Sequence, residues 1–355
     1  MSVTAPVWLK PIAARVESHL GAFLNDEQAR WSKLDSDLGE PIGELARLVG
    51  AGGKRLRPAF CELAFVGVGG DEDSKALLEV QTALELLHAS ALLHDDIIDG
   101  STTRRGEPTA HLRYLAKHRD SNWAGEARRF GEGAVILVGD LAFVYADQMM
   151  SNQNQLTKRI WNEMRVELNI GQYLDLIGTA KRERRPDKAE RVSRFKSGKY
   201  TVERPLYLGA SIFAPEQADE FFEQLSAIGL PLGDAFQMRD DILGAFGDQS
   251  ASRTGKPIGD DLREGKPTPL LALAFERATS SQRDVLNRVG DPTLTSENVL
   301  EIQQVIVESG ALGMLESRIR SLVDRAVAAI NASSLSKPAI ERLVELAEFV
   351  VARNI

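Results

Sequence analysis

Three aspartates interrupt an otherwise apolar run of the sequence and two arginines follow them: Asp95, Asp96, Asp99, Arg104 and Arg105. Aspartate is a poor helix former, and like charges one helical turn apart repel each other, so stability alone does not account for this stretch. On a helix, a spacing of four places Asp95 and Asp99 on one face, while Asp96 points about 100° away. Such carboxylates suit Mg²⁺, which proteins hold with one or two carboxylates and substrate phosphates.

A second pair of aspartates, Asp240 and Asp241, lies in another apolar stretch, FQMRDDILG. A solvated acidic helix face is the ordinary explanation of one such pair, but here apolar residues surround both clusters. Two acidic faces that meet across a helix bundle repel each other strongly unless cations lie between them. We therefore predict that the two clusters share a cavity and its divalent cations.

Basic residues are concentrated in the glycine-rich segments between the helical stretches. They are Lys54, Arg55, Arg57, Arg104, Arg105, Lys256 and Lys266. Arginine matches phosphate oxygens with two parallel hydrogen bonds, and lysine supplies a point charge. The pattern predicts a pocket for polyanions in two parts, one that binds through metal and one that binds directly through lysine and arginine.

The elements that must position these residues are predominantly helical. Apolar residues recur at helical spacing over 76–93 and 297–330. One stretch, AVILVGDLAF at 134–143, suits a buried helix as well as a strand. The glycine-rich turns between helices are too short to be flexible linkers. We predict an all-α protein with a single domain over residues 1–355.

Composition excludes several classes of protein. The chain is 43% hydrophobic and 26% charged, as in soluble globular proteins, and its net charge of −8 argues against nucleic acid and anionic lipid as partners. No apolar stretch approaches the length of a membrane span, so we expect no integral membrane segment. The amino terminus lacks the features of a signal peptide, and the lone Cys61 permits neither a disulfide framework nor a cysteine zinc site. We expect a cytoplasmic protein.

Taken together and in this order, the motifs resemble those of the trans-isoprenyl diphosphate synthases, the polyprenyl synthetase family, and in particular of geranylgeranyl diphosphate synthases. The resemblance spans about residues 45–275. The similar segments are Gly-Lys-Arg-x-Arg-Pro at 53–58, Asp-Asp-x-x-Asp at 95–99 with the Arg-Arg-Gly after it, KSGKYTVERPL at 196–206, FQMRDD at 236–241 and GKPIGDDLREGKPT at 255–268. Ser197 stands where the family has threonine.

The resemblance implies a fold, a reaction and its cofactors. The fold is the isoprenoid synthase fold, a single large antiparallel helical bundle around a central active-site cavity. In this family an allylic diphosphate ionises and isopentenyl diphosphate attacks the resulting cation. A diphosphate departs only when its growing charge is neutralised. The implied protein is a prenyltransferase that uses two to three Mg²⁺ ions, with Mn²⁺ as a substitute, and forms a homodimer.

Site residues carry over position by position. The implied metal ligands are Asp95, Asp99 and Asp240, supported by Asp96 and Asp241. The implied contacts of the allylic diphosphate are Arg104, Lys196 and Lys256. The implied contacts of isopentenyl diphosphate are Gly53, Lys54, Arg57, His88 and Arg105. Ser197 and Lys266 join the substrate-binding residues, and the cavity is expected to be lined by Gln172, Asp175 and Gln237.

Some assignments stay open at the level of sequence. Lys199 lies one turn from Lys196 and competes for its role, and His88 by itself suits a core position. Asp260 and Asp261 fit a helix cap or a link to Lys256 equally well. Gly244 stands where the second motif often has its last aspartate, and Asp248 is a substitute if the helix continues.

Product length in this family depends on what blocks the pocket before the first motif. The positions four and five residues upstream are small, Ala91 and Ser90, with Leu87 one turn deeper. We therefore expect a C20 product, geranylgeranyl diphosphate. The alternatives are a synthase of shorter or longer products (C15, or C25 and above) and a non-catalytic partner subunit. A terpene cyclase or a head-to-head synthase leaves the Gly-Lys-Arg segment unexplained.

Overall fold

The computed structural model describes residues 4–213, 215–247 and 259–352, and almost all regular structure in these ranges is helical. The α-helices are α1 Leu9–Ser32, α2 Glu40–Gly50, α3 Leu56–Gly67, α4 Lys75–Ile98, α5 Ala110–Asp120, α6 Ala127–Met149, α7 Gln155–Ala180, α8 Pro186–Ser193, α9 Arg204–Phe213, α10 Ala218–Phe246, α11 Asp260–Glu264, α12 Pro269–Arg277, α13 Ser280–Leu286, α14 Ser296–Glu308, α15 Ala311–Ala332 and α16 Lys337–Val351. A 3₁₀ turn, Ser36–Gly39, precedes α2, and a π-helix, Arg194–Glu203, joins α8 to α9.

The all-α prediction is confirmed. The ambiguous stretch 134–143 lies within α6 and is helical. The described residues contain two short strands, β1 Thr103–Arg104 and β2 Glu107–Pro108, which pair as an antiparallel hairpin. Its two turn residues, Arg105 and Gly106, both have positive φ, of 56° and 81°. Two consecutive positive φ values are what a tight two-residue hairpin of this twist requires, which explains the Arg-Gly pair.

Several helices begin where the sequence provides a side-chain cap. Asn154 accepts a hydrogen bond from the backbone N–H of Thr157 at the start of α7. Thr279 and Gln282 form a reciprocal capping box at α13. Such caps satisfy backbone donors that the first helical turn leaves unpaired, typically contributing about 1 kcal/mol each.

Three clusters of buried apolar side chains hold the helices together, and single helices connect them. Helix α3 contributes Phe65 to the first cluster and Phe60 to the second. Helix α10 contributes Leu232 to the second and Ile242 to the third. Each helix therefore packs on two sides, which fixes its position relative to the cavity described below.

Helix α4 carries the first acidic motif and is one of the most apolar elements. By length and composition it is able to cross a membrane, so the expectation that no apolar stretch approaches such a span is wrong for this helix. However, 67% of its most apolar window is buried within the protein, among residues such as Leu84 and Leu87. Its apolar character is that of a helix in the core of the bundle.

Candidate active site

A cavity of about 360 Å³ opens between α4, α7, the π-helix and α10. It brings together many of the predicted site residues: Arg57, His88, Ala91, Asp95, Lys196, Ser197, Gln237, Asp240, Asp241 and Lys266. Gln172 and Asp175, predicted as cavity residues, also line it. Asp95 and Asp240 therefore face one common space, as the argument from repulsion between the two acidic clusters requires.

The first acidic motif lies at the end of α4. The helix ends at Ile98, but the backbone N–H of Asp99 still donates to the carbonyl of Asp95 at 2.8 Å, so the two acids keep their one-turn spacing. Gln172 donates a hydrogen bond to Oδ1 of Asp95 at 2.9 Å. Burial alone raises the pKa of Asp95, but the nearby ammonium groups of Lys196 and Lys266 outweigh it and hold the pKa well below its usual range.

Lys196, and not Lys199, faces the acids of the cavity. Its ammonium group lies 3.1 Å from Oδ1 of Asp95 and 2.5 Å from Oδ2 of Asp175. Burial lowers the pKa of Lys196, but these two carboxylates raise it above its usual value. Lys199 turns away to pair with Glu167, which also binds Arg204. In the structure the competing Lys199 therefore points away from these acids, whereas Lys196, the lysine assigned from the resemblance, contacts them.

Glycines allow the segment of Lys196 to approach its neighbours closely. A Cβ on Gly171 of α7 would lie 2.3 Å from the backbone nitrogen of Lys196. A Cβ on Gly233 of α10 would lie 2.4 Å from the carbonyl oxygen of Gly198. Both distances exclude any side chain there. The π-helix, a conformation often found at functional sites, is therefore held in contact with both flanking helices beside the cavity.

The second acidic cluster contains one buried and one partly buried aspartate, Asp241 and Asp240. Asp241 is 5% exposed; Gln237 donates to its Oδ1 at 2.8 Å, while its Oδ2 has no hydrogen-bond partner among the described residues. Burial raises the pKa of Asp241 well above its usual value, and the carboxylates of Asp261 and Asp240 add to this effect. A buried acid with an unsatisfied oxygen favours a cation or a proton.

Lys266 connects the two acidic clusters. Its ammonium group lies 2.9 Å from Oδ2 of Asp99, 3.5 Å from Oδ1 of Asp261 and 2.8 Å from Oε2 of Glu264. Burial lowers the pKa of Lys266, but the carboxylates of Asp261 and Asp99 raise it well above its usual value. Lys196 and Lys266 therefore neutralise part of the acidic charge within the protein itself.

Asp96 has a different role from its two neighbours in the first motif. It is 3% exposed and accepts hydrogen bonds from Nε and Nη2 of Arg104, at 2.6 to 2.9 Å. This two-pronged pair anchors the β1–β2 hairpin to α4. In the structure the Arg104 side chain is therefore paired with Asp96, and neither side chain lines the main cavity. Both border a smaller cavity together with Arg105.

The remaining predicted cations lie around His88. Arg57 lies 4.3 Å from the centre of the Tyr200 ring and donates to Thr201, and Arg105 donates to the carbonyl of Gly52. Burial holds the pKa of His88 well below its usual value, and the charges of Arg57, Arg104 and Arg105 lower it further. The histidine is therefore neutral, and its neighbours form a cationic surface.

Other members of this group lie at the edge of the surface. Gly53 is next to the guanidinium groups of Arg55 and Arg105, within 3.5 Å of the position of a Cβ. Lys54 lies 5.3 Å from the ring centre of Phe349. Arg55, in contrast, is buried and paired with Glu85 at 2.5 Å, so it stabilises the loop.

The donor set at the acidic clusters suits a hard divalent cation. The carboxylates of Asp95 and Asp240 line one cavity, and Asp99 is paired with Lys266, which also lines it. Asp241 presents an unsatisfied buried oxygen to the same cavity. In the described part of the chain, no three acidic, histidine or cysteine side chains already form a complete ligand group.

Two expectations concern residues that the structure does not describe. Lys256, expected at the allylic diphosphate, and Asp248, the substitute acid, both lie outside the described residues. The capping role considered for Asp260 and Asp261 is wrong. Helix α11 begins after Gly259 without a side-chain cap, and both aspartates lie in its first turn.

Several residues at the site were not identified from the sequence. Tyr200 and Thr201 contact Arg57, and Phe143 on α6 borders a second cavity of about 300 Å³ with Leu87, Ser90 and Ala91. Asp261 lines the main cavity. Tyr200 and Thr201 directly follow the Lys-Ser-Gly-Lys segment and Asp261 lies in the Gly-Asp-Asp-Leu segment, so their positions were the only signal in the sequence. No signal pointed to Phe143, because α6 approaches α4 only in the tertiary structure.

Comparison with known proteins gives consistent relatives. Residues 42–307 match the polyprenyl synthetase family. The structure is similar to that of geranylgeranyl pyrophosphate synthase from Corynebacterium glutamicum complexed with isoprenyl diphosphate and magnesium, with a TM-score of 0.90 and 34% identity over 97% of this chain and 99% of that one. Geranylfarnesyl diphosphate synthase of Aeropyrum pernix is 31% identical over 328 residues, 88% of this chain and 93% of the relative.

A further relative differs in the length of its product. All-trans-nonaprenyl-diphosphate synthase (geranyl-diphosphate specific) of Rhodobacter capsulatus is 32% identical over 308 residues, 84% of this chain and 86% of the relative. These relatives share the synthesis of prenyl diphosphates, while the products that their names give span several chain lengths.

Proposed function

The chain belongs to the polyprenyl synthetase family, and from this premise we propose that it is a Mg²⁺-dependent synthase of geranylgeranyl diphosphate. The class, a chain-elongating prenyl diphosphate synthase, rests on the family match and on the relatives. The metal, the substrates in their subsites and the C20 product are the proposal. The observation that carries it is the single cavity in which Asp95 and Asp240 face each other beside Lys196 and Lys266.

The acidic side of the cavity is assigned to the allylic diphosphate. Asp95, Asp99 and Asp240 would hold the ions, which when bound supply positive charge to the departing diphosphate. Lys196 already points into this space and would turn from Asp95 towards a diphosphate oxygen. Where these groups are partly withdrawn from water, each of these charged contacts is stronger than it would be in bulk solvent.

The arginine side is assigned to isopentenyl diphosphate. Arg57, stacked on Tyr200, lines the cavity. Lys54 lies in the loop before α3 and Arg105 in the turn of the β1–β2 hairpin. His88 is partly buried, its pKa is lowered, and its Nδ1 lacks a partner among the described residues, so it is suited to donate or accept one hydrogen bond. These residues need no metal to bind a diphosphate.

The C20 product is supported by the cavity beside α4. Ser90 and Ala91 leave room for a growing chain, while Leu87, Phe143 and Leu168 border the same space. We expect Ala91→Phe to shorten the product and Phe143→Ala to lengthen it, because the first fills the cavity and the second enlarges it. Chromatography of dephosphorylated products measures both shifts. A C15 product from the unmodified protein would contradict the assignment.

The assay that tests the activity uses the purified protein alone. It is incubated with labelled isopentenyl diphosphate, an allylic primer of C5, C10 or C15, and either Mg²⁺ or EDTA. We expect elongated product with Mg²⁺ and none with EDTA. Elongation that required a second, different chain would favour the partner-subunit alternative. Cyclised product, or primer consumption without isopentenyl diphosphate, would favour a cyclase or a head-to-head synthase.

Assembly as a homodimer is part of the proposal. Apolar side chains are exposed in a stripe on α6, with Leu137 and Val144, and in another on α7, with Val166, Ile170 and Tyr173. The two helices adjoin, since Arg165 of α7 pairs with Asp147 of α6. A second copy covering these stripes would remove them from water. Light scattering during gel filtration tests this, and a monomeric mass at micromolar concentration would contradict it.

Two further assignments accompany the dimer. We propose that the chain folds as one domain, which is supported by the sharing of α3 and α10 between buried clusters. We also propose a cytoplasmic location, as expected from the sequence, and the burial of most of the apolar window of α4 within the protein is compatible with it.

A further inference from the structure

Gly244 lies where the second acidic motif often has its last aspartate, four residues after Asp240 on the same face of α10. A Cβ built on Gly244 would lie 1.8 Å from Oδ2 and 2.5 Å from Cγ of Asp261. Real atoms do not approach so closely. A side chain at position 244 and the present Asp261 carboxylate therefore exclude each other, and Asp261 fills the space that the missing aspartate would enter.

The Asp261 carboxylate belongs to the cavity. It comes from α11, which follows α10 in the described part of the chain, and it lines the main cavity together with Asp240 and Asp241. Its Oδ1 lies 3.5 Å from the same Lys266 nitrogen that pairs with Asp99 of the first motif. Asp99 and Asp261 thus already share one cation, although they come from opposite acidic clusters.

A second observation in this corner of the cavity is a buried acid with an unsatisfied oxygen. Asp241 is 5% exposed and lines the cavity, yet its Oδ2 has no hydrogen-bond partner in the ranges 4–213, 215–247 and 259–352. A buried carboxylate oxygen without a donor is costly, and a divalent ion bound directly or through water removes that cost. The unsatisfied oxygen and the Asp261 carboxylate are therefore available to the same ligand.

We propose that Asp261 is the third carboxylate of the second acidic cluster, delivered from α11 into the space that Gly244 leaves open. This inference rests on the proposed function, because it concerns the divalent ion held on the Asp240 side of the cavity. The second acidic cluster then has three carboxylates in space, although the motif on α10 contains only two aspartates. Gly244 is required for this arrangement, since any larger residue displaces the Asp261 carboxylate.

The experiment measures binding of Mn²⁺ to the full chain in the presence of inorganic diphosphate, by electron paramagnetic resonance of the free ion. We expect Asp261→Ala to lower the affinity for the Mn²⁺ ion held beside Asp240 by about 10- to 100-fold. This is the usual effect of removing an acid that supports a bound metal. Gly244→Ala should weaken it in the same direction with Asp261 still present. The double variant Asp261→Ala with Gly244→Asp should recover most of the affinity.

The matched control is Asp260→Asn, the adjacent acid of α11, which lies 3.7 Å from Arg263 and is expected to leave Mn²⁺ binding unchanged. Thermal melting confirms that each variant folds, and Asp261→Asn replaces Asp261→Ala if the latter does not. A purely structural Asp261 would not be rescued by an aspartate on α10. Wild-type affinity in Asp261→Ala or in Gly244→Ala, or no recovery in the double variant, would overturn the inference.

The two proposals fail in different ways. If the wild-type protein bound no Mn²⁺ with diphosphate, the metal-dependent function and this inference would both be overturned. If the wild type bound Mn²⁺ and elongated prenyl diphosphates while Asp261→Ala bound Mn²⁺ equally well, only the inference would be overturned.

Discussion

The two sides of the cavity balance their charges in opposite ways. On the acidic side, Asp95 and Asp99 pair with Lys196 and Lys266, so part of the acidic charge is neutralised within the protein itself. On the arginine side, Arg57 stacks on an aromatic ring and the central histidine is neutral. Under the proposed function, the acidic side would exchange its internal cations for metal and diphosphate, whereas the arginine side presents positive charge directly.

Under the proposed function, this difference would let one pocket distinguish two diphosphates. A diphosphate that must depart needs charge that becomes stronger as the bond breaks, and metal with lysine supplies it. A diphosphate that only has to be held in place needs fixed hydrogen-bond donors, which arginine supplies. Variants on the two sides should therefore affect different kinetic constants.

The largest effect is expected from the acids themselves. Asp95→Ala or Asp240→Ala should lower kcat by about 10³-fold or more, because the charge on the departing diphosphate is no longer neutralised. The melting temperature should change little, since Lys196 keeps Asp175 as a partner when Asp95 is lost. Steady-state assays and thermal melting measure the two quantities. The control is Asp219→Ala, an exposed acid on α10; loss of folding in the site variants would show that the acids are structural.

A smaller effect distinguishes the two lysines of the π-helix. Lys196→Ala should lower kcat by about 100-fold, since it removes one charged contact to the departing diphosphate. Lys199→Ala should keep kcat within a few-fold of the wild type, because Lys199 pairs with Glu167 outside the cavity. Equal losses of kcat in both variants would contradict the assignment of Lys196.

On the arginine side the change should appear in KM. Arg57→Ala should raise the KM for isopentenyl diphosphate by about 10- to 100-fold and change the KM for the allylic primer little, because it removes a charged contact that is made before and during reaction. Arg288→Ala, which breaks the exposed pair with Glu301, serves as control. A loss confined to kcat would place Arg57 at the departing diphosphate instead.

The smallest effect concerns stability against pH. The pKa of His88 is lowered by burial and by the neighbouring arginines, so the folded state resists the proton that the unfolded state accepts near pH 6.5. The free energy of unfolding should therefore fall as pH drops below about 6.5, by at most about 1.4 kcal/mol per pH unit from this residue. Urea unfolding at pH 7 and pH 5.5 should show a smaller loss in His88→Gln. An identical slope in the two proteins would show that His88 is protonated when folded.

Much of the site was predictable because its chemistry is local. The one-turn spacing of Asp95 and Asp99 is a property of any helix, and the structure keeps it although the helix ends between them. The Arg-Arg-Gly segment was recognised as cationic, but its hairpin was not predicted, because a two-residue strand leaves no periodic pattern. The sequence left Lys199 as a competitor of Lys196, and only their different partners, Glu167 and Asp175, separate the two lysines in the structure.

The sequence by itself determined the helical class, the acids on one helical face and the concentration of cations in the loops, because each follows from the intrinsic geometry of a few consecutive residues. Tertiary structure decided which cations meet which acids, and it placed Asp261 against Gly244, which lie 17 positions apart with residues between them outside the described ranges. Contacts of this kind depend on how helices approach, down to the absence of one Cβ, and no local pattern encodes that approach.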